Sequence, residues 1–119
     1  MIRRASQIAF SAGVLAVVAL SLFPHETLPE TGMWDKLNHA LAYGVLAVVG
    51  GLGFKGWRSL LMMGFGLVVL DAGLELAQSV IPDRTGSVYD ALANFVGVAV
   101  GSVATAGANA FFRDQSRRA

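Results

Sequence analysis

Four runs of almost uncharged, apolar residues recur along the chain, from about Ala5 to Phe23, Lys36 to Phe54, Ser59 to Ile81 and Asp90 to Phe112. Each is close to the ~20 residues that a helix needs to cross ~30 Å of hydrocarbon. Pro24 and Pro29 end the first run and Pro82 the third, because proline supplies no N–H to a continuing helix. Lys55, Gly56, Trp57 and Arg58 predict a tight turn between the second and third runs. Trp34, Trp57 and Tyr89 fall at the levels where amphipathic rings meet lipid headgroups. The expected fold is an all-α membrane protein, a four-transmembrane-helix bundle formed by one domain over residues 1–119, with no internal repeat.

Polar residues break this pattern in register. Asp35, His39 and Tyr43 are spaced i, i+4, i+8 in the second run; Asp71, Glu75 and Gln78 are i, i+4, i+7 in the third. Asp90, Asn94, Gly97 and Gly101 follow i, i+4, i+7, i+11 in the fourth. Each set makes one stripe on a helix. At ~1.5 Å rise per residue, His39, Glu75 and Asn94 lie roughly 6 to 10 Å below one interface, with Asp71 deeper. A charge at mid-bilayer costs roughly 2.5 to 3.5 kcal/mol on insertion scales, so Asp71 and Glu75 are expected to face the bundle interior. Two acids one turn apart repel each other. Either one holds a proton, or a cation lies between the stripes, with His39, Lys36 and Arg84 as candidates.

Composition sharpens the picture. With 55% hydrophobic and 14% charged residues among 119, the chain is too apolar for an ordinary soluble domain. Its formal net charge of +1 offers no basic face, so no nucleic-acid partner is expected. Cysteine is absent, which removes disulfides and thiolate ligands and leaves oxygen and imidazole chemistry. Arg3, Arg4, Lys55, Arg58, Arg113, Arg117 and Arg118 fall at one face of the expected bundle, and only Lys36 and Arg84 at the other. The positive-inside rule then puts both termini in the cytoplasm. Arg3 and Arg4 before an apolar run also resemble a signal peptide, but cleavage would leave an odd number of spans.

Several features have structural readings. Asp35 suits the N-cap of the second span, and Ser87 followed by Asp90 resembles a capping box for the fourth. Asn94 and Gln78 suit hydrogen bonds across helices, and Arg84 suits an ion pair with an acid. Tyr43 and Tyr89 read as packing or interface residues rather than catalytic ones, and His25, with Glu26 and Glu30, as a solvated loop histidine. Gly97 and Gly101, with Ala93 and Thr105, form a small-xxx-small ladder that lets another helix approach, in this chain, in a partner or in a second copy. The Arg113, Asp114, Arg117, Arg118 tail suits anionic headgroups.

The order Asp35-Lys36-x-x-His39-x-x-x-Tyr43, Glu75-x-x-Gln78, Arg84 and Asp90-x-x-x-Asn94-x-x-Gly97-x-x-x-Gly101 resembles the VanZ-like family of small bacterial membrane proteins, over roughly residues 30 to 105. That family takes its name from a protein associated with low-level teicoplanin resistance. The resemblance implies an inner-membrane protein with a cell-envelope role. Carried over by position, the family's motif residues here are Asp35, Lys36, His39, Tyr43, Glu75, Gln78, Arg84, Asp90 and Asn94. Asp71 lies outside that pattern and rests on the depth argument alone.

Four functions compete at this level. One is a site for an anionic or glycosylated lipid, such as a polyprenyl-linked intermediate, with Lys36 and Arg84 taking phosphate and the acids and amides taking hydroxyls. Another is an enzyme in which Glu75 or Asp71 acts as general base near His39, or in which His39, Glu75 and Asp90 hold a metal. No HExxH, phosphate-cradling glycine loop or serine nucleophile elbow is present to favour it. A third is proton transport through Asp71 and Glu75, for which no acid stripe reaches the inner side. The last is a scaffold subunit docked through Gly97 and Gly101. The first is the expected function, its residues Lys36, His39, Glu75, Gln78, Arg84, Asp90 and Asn94; no cofactor is assigned.

Overall fold

None of the apolar runs contains proline, so nothing interrupts the backbone ladder inside them. In the computed structural model, which describes residues 1–23, 33–82 and 87–119 and, within the middle segment, side chains from Lys36 onward, they form α1 (Ile2–Leu22), α2 (Met33–Gly53), α3 (Trp57–Ser79) and α4 (Val88–Arg118). Consecutive helices run antiparallel. Among the described residues α1, α3 and α4 are long and apolar enough to cross a membrane. α2 has the same length as α1, but its N-terminal turns carry Lys36, Asn38 and His39.

The helices start two or three residues before the expected spans, because hydropathy marks the first lipid-compatible residue while the helix takes in the polar turn before it. α4 differs most. It continues past Phe112 to Arg118 on residues that include no helix breaker, and Arg118 pairs with Asp114 one turn away at 2.9 Å. Arg117 and Arg118 also place positive charge where the helix dipole favours it. The turn at Lys55 to Arg58 is shorter than expected: Gly56, at φ 94°, is the N-cap of α3, and Trp57 and Arg58 are already helical. Beyond α3, the Val80 and Ile81 N–H groups tighten onto the carbonyls of Ala77 and Gln78, and Pro82 follows. Pro24, Pro29, His25, Glu26, Glu30 and Arg84 lie outside the described residues, as do the side chains of Trp34 and Asp35.

α2 and α4 run parallel and make the closest contact in the bundle. A Cβ on Gly97 would run into the backbone carbonyl of Ala40, and one on Gly101 into that of Gly44, so the two backbones touch only because side chains are missing. The Gly97 and Gly101 ladder therefore receives α2 of the same chain. Tyr43, Leu46, Ala47, Met63, Leu67 and Val98 form the buried core, and Phe10 packs edge-on to Phe54 at its margin. Large apolar side chains are exposed on every helix, among them Leu15, Leu41, Phe65 and Val103. That is the reverse of a water-soluble surface and suits contact with lipid.

Side chains of one helix close the ends of another. Arg3 Nε and Gln7 Nε2 both donate to the Gly53 carbonyl, at 3.2 and 3.3 Å, at the C-terminus of α2. Gln78 Nε2 donates to the Ser21 carbonyl at 2.8 Å, at the C-terminus of α1. These carbonyls are among those a helix leaves without partners of its own.

Candidate functional site

The stripes on α2, α3 and α4 meet near one end of the bundle and stack in three tiers. Deepest is Asp71, 7% exposed, whose Oδ1 accepts a hydrogen bond from Nδ2 of Asn94 at 2.6 Å; Asn94 is 2% exposed. The hydroxyl of Tyr43, a buried residue of α2, interacts with the same carboxylate, so three helices are joined at one acid. Asn94 Oδ1 is buried and finds no hydrogen-bond partner among the described residues.

One turn outward, Glu75 Oε2 accepts the Ser87 backbone N–H at 2.8 Å. This replaces the expected capping box. Ser87 is the N-cap of α4 and is extended, at φ −117° and ψ 120°, but its side chain makes no cap hydrogen bond. A box has the N3 acid reach back to the N-cap N–H. Here an acid of α3 takes that N–H, while the N3 residue, Asp90, turns toward α2. His39 lies within electrostatic reach of both Asp71 and Glu75.

At the rim, Lys36 Nζ and Asp90 Oδ1 pair at 3.4 Å, with the side chains 44% and 17% exposed. Asp90 is also within electrostatic reach of Asp71 and Glu75. Lys36, His39, Tyr43, Asp71, Glu75, Asp90 and Asn94 thus come together, with Asp71 the deeper acid as its position on the helix predicts. Gln78 does not join them, because it is turned to the end of α1. Arg84 and the side chain of Asp35 lie outside the described residues.

The charge balance of the described cluster is acidic: the carboxyls of Asp71, Glu75 and Asp90 face one lysine and one histidine. Such a set offers acceptors to hydroxyl or amino groups, and one ammonium at the rim to an anion. Among the described residues no three His, Asp or Glu side chains form a group able to hold a metal. The variant with His39, Glu75 and Asp90 as ligands is therefore not formed. One set of positions escapes the polar pattern of the sequence: Ala40, Gly44, Ala47 and Gly51 make a small-residue stripe on α2, spaced i, i+4, i+7, i+11, that meets Gly97, Gly101 and Thr105 of α4. No family model, curated protein or solved structure matches this chain.

Proposed function

We propose that the chain is a VanZ-like protein of the bacterial inner membrane, crossing it with all four helices and both termini cytoplasmic. In this reading it binds an envelope-related lipid headgroup in the polar tiers at the outer ends of α2, α3 and α4. The carrying observation is the gradient of access: a buried acid tied to three helices lies beneath a half-exposed Lys36 held by Asp90 at only 3.4 Å. A long pair at the rim exchanges readily for a phosphate oxygen, while the acids below accept headgroup hydroxyls. Clustering of the basic residues at the opposite end supports the orientation, since Arg3 adjoins Gly53 beside Lys55, and α4 carries Arg113, Arg117 and Arg118 to the same end.

Thermal unfolding of the purified protein with added anionic lipid tests this function. A rise in melting temperature with phosphatidic acid or a polyprenyl phosphate, but not with a zwitterionic lipid, is expected; Lys36→Gln and Arg84→Ala each reduce it. An equal response to both lipid classes, or one indifferent to both substitutions, rules the headgroup site out.

A further inference from the structure

The contact that brings α2 and α4 together also leaves a hollow beside it. Each glycine that permits backbone contact is a side chain missing from the flank, and the flank opens as an apolar groove of about 410 Å³. Gly44, Gly97 and Gly101 lie at its floor, and the exposed side chains of Val45, Val48 and Val100 form its walls. The volume falls in the ~300–1,000 Å³ range of small-molecule sites. Along α2 the lining runs from Ala40 to Val49, about 14 Å at the helical rise.

The groove is continuous in register with the polar rim. Lys36 stands one turn before Ala40 on α2, and Asp90 two turns before Gly97 on α4, so the ion pair crowns the seam that the groove follows. We propose that this groove seats the hydrocarbon chain of an anionic lipid whose phosphate is taken by Lys36. The inference rests on the headgroup site proposed above and adds the course of the chain. Charge complementarity selects this occupant: the cation nearest the groove is half exposed and only loosely paired, so a phosphate can take it while the attached chain follows the apolar wall. Lipid tails are as apolar as the valines, so seating gains from close packing and from coupling to the headgroup rather than from escape from water.

Binding of decyl phosphate to the purified full chain, compared with inorganic phosphate and with decanol, tests the proposal. Decyl phosphate is expected to bind more tightly than either half. Val45→Trp and Val100→Trp fill the groove from opposite walls at exposed positions and should each weaken decyl phosphate about tenfold, about 1.4 kcal/mol. Inorganic phosphate binding should be unchanged in both, and Leu76→Trp, exposed on α3, should bind decyl phosphate as wild type does. If the groove variants keep wild-type affinity while Lys36→Gln loses it, the chain lies elsewhere and only the headgroup site survives. If Lys36→Gln also binds normally, both fall. Equal affinity of wild type for decyl phosphate and inorganic phosphate, or a stable dimer that Val100→Trp splits, also overturns the proposal, the dimer by giving the groove to a second copy.

Discussion

At the scale of residues, the tie between Asp71 and Asn94 is the most exacting feature of the bundle. A carboxyl this deep is tolerated because an amide on a neighbouring helix donates to it, and removing the donor leaves the acid's cost in place. Asn94→Leu should therefore destabilise the protein by about 1–3 kcal/mol in reversible unfolding from mixed micelles. Adding Asp71→Leu should recover part of that loss, since replacing both partners removes the group that needs satisfying. Strictly additive effects of the two substitutions would show that the pair does not act as a unit. That the stripes face one another was legible from their helical spacing, but depth counting put Asn94 level with Glu75; Glu75 instead sits level with Ser87 at the start of α4, which leaves Asn94 level with the deeper Asp71. Individual partners were not legible: a spacing rule says which way a side chain points on its own helix, but not that Gln78 finds α1 or that Glu75 takes the Ser87 N–H.

At the scale of elements, four helices were readable because each run lacks a breaker and matches the thickness of lipid. The end of α4 was not, since hydropathy stops at Phe112 while helix propensity continues through the charged residues beyond it. The glycine ladder on α4 was legible as a contact face, yet its partner was hidden because α2 scatters its small residues, Ala40, Gly44, Ala47 and Gly51, through an apolar stretch with no regular four-residue ladder. The ladder gives a sharp contrast between glycines. Gly97→Val forces a side chain into the Ala40 carbonyl and should cost about 1–3 kcal/mol or more, with loss of α2–α4 proximity measured by cross-linking. At Gly73 an added methyl would meet nothing within 4 Å, so this position should accept alanine with no loss, or gain up to about 1 kcal/mol. Equal penalties at both sites would mean that backbone contact is not what Gly97 provides.

For the whole molecule, the alternating helices put the basic residues at one end and the polar tiers at the other, which makes orientation a measurable property. The absence of cysteine gives a clean background. A membrane-impermeant thiol reagent applied to intact cells should label Val88→Cys and leave Ser116→Cys unlabelled until the membrane is opened. The reverse pattern would turn the polar tiers toward the cytoplasm and remove the envelope lipid from reach. The sequence offers an expectation of orientation only as a count of charges, because no internal contact of the chain reports which side of a bilayer it faces.

The side chains that close helix ends carry a consequence for synthesis. α1 is translated before α2 and α3, yet its start is fastened through Gly53 and its finish through Gln78, both translated later. A nascent chain arrested after Gly53 has one fastening available, and one arrested after Ser79 has both. Resistance of α1 to proteolysis should accordingly rise in two steps as translation proceeds, and an Arg3→Ala, Gln7→Ala, Gln78→Ala chain should flatten both.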